Sequence, residues 1–132
     1  MEPSDQSFIQ AFEQMWGHYP APVMLLNKAH VVQAVNSAGQ ALGITPGINC
    51  FALVGRDRRC RHCKAPLALK NGEAQRSVEF SKDFGRVIDG YWIPVAGNAE
   101  LYVHFGNDIT AWADPSKFPE MGPAEAKRGT DG

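Results

Sequence analysis

Residues 21–43 read Ala21-Pro22-Val23-Met24-Leu25-Leu26-Asn27-Lys28-Ala29-His30-Val31-Val32-Gln33-Ala34-Val35-Asn36-Ser37-Ala38-Gly39-Gln40-Ala41-Leu42-Gly43. Two short apolar runs, 23–26 and 31–35, flank a four-residue polar break at 27–30, the pattern of a β-hairpin. Asn36 then stands where an N-cap belongs, ahead of a helical stretch over 37–42 that Gly43 ends. Hairpin followed at once by a short capped helix is the seed from which the remaining elements are placed.

Downstream, Thr45-Pro46-Gly47 is a turn and 48–54 an apolar piece of uncertain state. A short helix follows over 65–70, with Pro66 near its first position and Asn71-Gly72 as its stop. Residues 76–82 read as a strand, Asp83-Phe84-Gly85 as a turn, and 86–95 as a longer strand. Gly90 and Pro94 suggest a bulge or an exposed end there, and apolar residues fall on both parities. Residues 100–106 alternate cleanly, with Leu101, Val103 and Phe105 facing one way and Tyr102 and His104 the other. Upstream, 4–16 form an amphipathic helix carrying Phe8, Ile9, Phe12, Met15 and Trp16, stopped by Gly17, Pro20 and Pro22. This order predicts an α+β fold, a five-stranded antiparallel sheet with short helices on one face and an N-terminal amphipathic helix.

At 132 residues and 44% hydrophobic content, the chain has room for one core and enough apolar surface to bury it. A net charge of −1 argues against whole-domain attraction to nucleic acid or anionic lipid. No apolar run reaches the roughly 18 residues of a membrane span, and the polar start is no signal peptide, so the cytoplasm is the simplest address. Charge is nevertheless concentrated: Arg56, Arg58, Arg59, Arg61 and Lys64, less Asp57, give 56–64 a charge of +4. Without interleaved aromatics this reads as a solvated loop rather than a nucleic-acid site. Three cysteines, Cys50, Cys60 and Cys63, are an odd number, and two lie in Cys60-Arg61-His62-Cys63. In a reducing compartment such a pair means metal, redox chemistry or chance.

The hairpin and helix of residues 21–43, with Leu101-Tyr102-Val103-His104-Phe105-Gly106-Asn107-Asp108-Ile109-Thr110 ending the last strand, resemble the PAS sensor-domain family. The resemblance spans about residues 20–112, leaving 1–19 as the helix and 113–132 as a Pro-rich, disordered tail. Asn27 departs from the Asp common at that place. The resemblance implies a non-catalytic module that holds a small molecule or cofactor between sheet and helices and signals through an effector. Leu25, Val35, Phe51, Leu53, Leu67, Val78, Phe80, Val103 and Phe105 are the candidate lining residues, with simple core filling as the competing reading.

The resemblance also frames the cofactor question. Gly47-Ile48-Asn49-Cys50 matches the start of the flavin-photoreceptor motif, but Phe51 stands where an Arg meets the flavin phosphate and Val54 where a Gln belongs. That argues against flavin. None of His18, His30, His62 and His104 reads as an axial ligand, which argues against haem. Some sensor PAS domains carry a similar spacing of three cysteines, so Cys50, Cys60 and Cys63 are candidate ligands for zinc or an iron–sulfur cluster. A fourth ligand is not evident, His30 or an external group being the options. A thiol–disulfide sensor and an inert trio stand beside that reading.

After Thr110, Pro115, Pro119 and Pro123 forbid a continuous output helix. If these residues are the whole protein, a stand-alone sensor acting by association is expected, as a homodimer through 4–16 or with an effector protein, with packing of 4–16 on the chain's own sheet as the equal alternative for that helix. The alternative is a structural dimerisation or adaptor module with a filled core and no ligand.

Overall fold

A computed structural model describes residues 5–121. Asn36 organises its start. The Asn36 side chain accepts from Gly39 N–H at 3.0 Å, capping helix α2 (Ser37–Ala41), and from Val23 N–H at 2.9 Å, which fixes the first residue of strand β1 (Val23–Asn27). Strand β2 (Val32–Val35) returns antiparallel to β1, with a register irregularity between Leu25 and Leu26. In the connecting turn, Asn27 Oδ1 accepts from Ala29 N–H and Val31 N–H, and His30 takes φ = 65°. Asn27 thus supplies with its amide oxygen the acceptor that an Asp would supply, and a non-glycine residue occupies the left-handed region.

Strands β3 (Gln75–Ser81), β4 (Arg86–Val95) and β5 (Asn98–Asp108) form a meander, and β5 pairs back onto β1. The five strands are antiparallel throughout, as the sequence predicts, and the structure sets their order as β2-β1-β5-β4-β3. The irregularity expected around Pro94 falls between Pro94 and Val95. The piece at 48–54 becomes a 3₁₀ helix, Cys50–Val54, ended by Gly55 in the left-handed conformation (φ 74°). Helix α3 (Ala65–Asn71) ends in the same way at Gly72.

Both sheet faces are covered. On the outer face, helix α1 (Asp5–Trp16) lays Phe8, Ile9, Phe12 and Trp16 over Val23, Leu25, Ala34, Leu101, Val103 and Phe105. Trp16, Tyr19 and Tyr91 pack their rings around Phe105 at centroid distances of 5.2–5.4 Å. On the inner face, Leu26, Val32, Val35, Trp92 and Tyr102 pack with Ile44 and with Ala65 and Ala68 of α3.

The apolar stripe of 4–16, which the sequence leaves free to cover either its own sheet or a second copy, lies on the chain's own sheet. One sequence expectation changes. Residues 113–121 are ordered in part: Pro115–Lys117 and Pro119–Met121 are 3₁₀ turns, and Met121 is buried. Proline stops a long helix there but is well suited to the first position of a short one. The rest of the expected tail lies outside the described residues.

Candidate functional site: a thiol cluster on the inner sheet face

The turn at His30 is tied to the start of the 3₁₀ helix, because Cys50 N–H donates to His30 O at 2.9 Å. Cys50 is thereby held over the inner face, where its sulfur is hydrogen-bonded by the Tyr102 hydroxyl and the Phe51 N–H. Tyr102, fully buried on β5, also meets His30 Nδ1 at 2.8 Å. A hydroxyl has one proton to give. With that proton directed at Cys50, His30 Nδ1 carries its own and donates to the tyrosine oxygen.

The second arm comes from the loop between the 3₁₀ helix and α3. Cys63 N–H donates to Cys60 O at 3.1 Å, closing a tight turn around Arg61 and His62. Cys63 then sits just before α3, its sulfur hydrogen-bonded by Ala65 N–H and the Trp92 side chain. The three sulfurs lie close enough to act on one another electrostatically. Burial, with the neighbouring Cys63 and Cys60 adding to it, pushes the Cys50 thiol up to about 12. Burial also raises Cys63, and it raises Tyr102 further. Cys50 and Cys63 are therefore protonated thiols at neutral pH, poor as nucleophiles until something replaces their protons.

As placed, the trio is not a metal cage: no group of three or more His, Cys, Asp or Glu side chains among the described residues is positioned to hold a metal ion. Cys60 is half-buried, as are Cys50 and Cys63, and His62 is exposed.

The nine expected lining residues do not share one space. Leu25, Val103 and Phe105 face helix α1 on the outer side. Register places Val78 and Phe80 on that same side, opposite Asp89 and Val87. Val35 is on the inner side. Phe51 and Leu53 lie on the 3₁₀ helix, and Leu67 on α3 is 45% exposed. The residues gathered at the inner face are instead Tyr102, His104, Trp92 and His30. His104 stacks on Trp92 at 4.8 Å and donates through Nδ1 to Tyr91 O at 2.8 Å. The inner face is thus filled by rings. Two clefts open on the surface elsewhere, one along Gly55–Arg61 and one between Glu13, His18 and Asn36.

Burial lowers His104, with His30 adding to the effect, and burial and then Arg59 lower His30. Both rings are kept neutral in the fold, while the unfolded chain protonates near pH 6.5. The unfolded state then binds more protons, so stability falls as pH drops below about 6.5. Urea midpoints measured from pH 7.5 to 5 should decline, and His104→Gln should flatten that decline.

No family model matches the chain, and no curated protein matches it. Solved structures do. A sensory box sensor histidine kinase from Vibrio cholerae is 16% identical with a TM-score of 0.56, covering 80% of this chain and 95% of its own. The PAS domain of Bordetella pertussis BvgS is 17% identical with a TM-score of 0.56, covering 86% and 91%. A phage VqmA–DPO complex is 16% identical with a TM-score of 0.60, covering 80% of this chain and 55% of that one. The β2-β1-β5-β4-β3 sheet, the Asn36-capped helix behind its first hairpin and these likenesses agree: the chain has the PAS fold.

Proposed function

We propose that the chain is a non-catalytic signalling sensor module whose input is thiol chemistry at Cys50, Cys60 and Cys63, and whose output is association with an effector or a second copy. One observation carries this reading. Two separate segments seat Cys50 and Cys63 against the core of Tyr102 and Trp92 on the inner sheet face, with Cys60 near enough to act on both electrostatically. A change at sulfur there, by a soft metal or an oxidant, would reset the Tyr102–His30 bond and the seat of α3 together. The sensory box kinase and the BvgS PAS domain support a signalling context. The His30–Tyr102–Cys50 chain does not make an enzyme of it, because burial holds the Cys50 thiol too high for a nucleophile.

The ring-filled inner face favours a second reading, an adaptor module with a packed core and no ligand. The two are separated by the Tm and scattering mass of reduced protein, zinc-treated protein and protein treated with hydrogen peroxide. The sensor reading expects at least one treatment to move Tm by about 4 °C or more, the effect of about 1 kcal/mol in a domain this size, or to change the mass. Cys50→Ser should blunt that response. Unchanged Tm and mass under both treatments would leave the adaptor reading.

A further inference from the structure

The loop that carries Cys60 and Cys63 is also where the chain concentrates its positive charge. An open cleft is lined by Gly55, Arg56, Asp57, Arg58, Arg59 and Arg61. Asp83 holds Arg56 at 2.9 Å, and Asp57 lies 3.8 Å from Arg58 with both side chains at least 90% exposed. Among the described residues no carboxylate lies within ion-pair distance of Arg59 or Arg61. Those two flank Cys60 in the chain, and Arg56 is near enough to Cys60 to feel its charge. Arg59 reaches the other way, donating from Nη1 to Cys63 O at 3.4 Å. The cleft therefore sets a net positive field beside Cys60, which its arginines flank in the chain, and Arg59 extends that field to Cys63, while Cys50 and Cys63 pack against the inner-face core.

We propose that Cys60 is the first-reacting thiol of the cluster, and that the arginine cleft selects small disulfides bearing carboxylates as its oxidants. This rests on the thiol cluster being the input site and adds which thiol reacts and with what class of molecule. Guanidiniums hold the carboxylates of the incoming disulfide and raise its local concentration beside Cys60. The Cys60 thiolate attacks one sulfur, the small disulfide's S–S bond breaks, and a mixed disulfide forms on Cys60 with release of one small thiolate, which takes up a proton. The Cys60–Cys63 turn then acts. Its 60-to-63 hydrogen bond at 3.1 Å makes it a β-turn, whose ends lie within about 7 Å, close to what a disulfide spans. Cys63 then attacks Cys60 Sγ, its proton passing to the second small thiolate as that group leaves, so the half-buried Cys63 makes this the slower of the two steps. In sum two protein thiols become one disulfide, and one small disulfide is reduced to two thiols. Closing that bond withdraws Cys63 from the Trp92 and Ala65 donors and so loosens the start of α3.

The test uses the full reduced chain and two probes, dianionic dithiobis(nitrobenzoate) and dicationic cystamine. Each rate is divided by its rate on the urea-unfolded chain to remove intrinsic reactivity. At low salt the anionic probe should be favoured by about tenfold or more, and 1 M NaCl should erase most of the preference. Arg59→Gln with Arg61→Gln should abolish it without touching the sulfurs. Cys60→Ser should remove the fast phase, and Cys63→Ser should stop the reaction at the probe adduct, whereas the wild type ends adduct-free and two hydrogens lighter. Equal normalised rates for the two probes, or a fast phase surviving Cys60→Ser, would overturn the proposal. Charge-selective reaction at Cys60 with no change in Tm or mass would sink the sensor reading and leave this one standing. A Tm or mass response without charge selectivity would do the reverse.

Discussion

Asn36→Ala is expected to cost about 4 kcal/mol, near the upper end for a single substitution, and to lower the urea midpoint by about 3 M. The residue is 2% exposed and its one side chain serves four backbone groups. Oδ1 accepts from Val23 N–H and Gly39 N–H, while Nδ2 donates to Tyr19 O at 3.1 Å and Ala21 O at 2.8 Å. Alanine leaves two donors and two acceptors, belonging to β1, α2 and the segment before β1, without their partner. Each orphaned buried group costs about 1–3 kcal/mol, reduced where water reaches it, so the loss far exceeds that of an ordinary N-cap. Asn36→Asp separates the two halves of the role. Its shape and acceptor bonds survive, but at neutral pH a second carboxylate oxygen faces the two carbonyls. The fold then favours the protonated acid, which can donate. That raises the folded-state pKa above its unfolded value, so the variant recovers stability as pH falls from 7 toward 4. The parent moves the opposite way over the upper part of that range, because His30 and His104 resist protonation. Urea titrations at three pH values read both signs.

How far the sequence carries is seen at β5. Its alternation is plain, with Leu101, Val103 and Phe105 on one face and Tyr102 and His104 on the other, and the structure keeps that parity. What alternation does not say is which face belongs to which helix layer. The more apolar face looks like the lining of a ligand space, yet the apolar stripe of α1 takes it. The polar-tipped rings of Tyr102 and His104 are left to the inner side. The stripe of α1 was itself the available clue, since a helix with so apolar a face needs the most apolar face of the sheet. Strand β4 gave no parity for a physical reason: Tyr91, Ile93 and Val95 serve the α1 side and Trp92 the other, so both faces are buried.

The thiol cluster was legible only in part. Cysteine spacing marked Cys50, Cys60 and Cys63, but their approach depends on long-range geometry. The bridge between Val31 and Asn49 and the bond from Cys50 N–H to His30 O bring the 3₁₀ helix over the hairpin turn. Nothing local in 48–54 encodes that seat. The same holds for His30, which belongs by sequence to a polar connection and by structure to Tyr102.

Phe12→Ala should cost about 3–5 kcal/mol, and Met15→Ala close to nothing, although both residues lie on the helix that the sequence offers as a dimer face. Phe12 is 4% exposed, seated with Phe8, Ile9 and Trp16 on the outer face of the sheet, and Met15 is 79% exposed. Removing the ring takes away its burial and leaves a cavity between α1 and β1 that the closely packed Val23, Leu25 and Phe105 cannot fill. The contrast also decides between intrachain and interchain roles for residues 4–16. If the stripe serves its own sheet, the Phe12→Ala loss is the same at every protein concentration, and Met15→Ala leaves both Tm and mass unchanged. If the helix instead exchanges onto a second copy, the Phe12→Ala penalty grows on dilution, because the lost contacts were holding two chains together. Denaturation at 1 and 100 μM, read alongside scattering mass, distinguishes them. The packing of Trp16 on Phe105 at 5.2 Å within one chain favours the concentration-independent result.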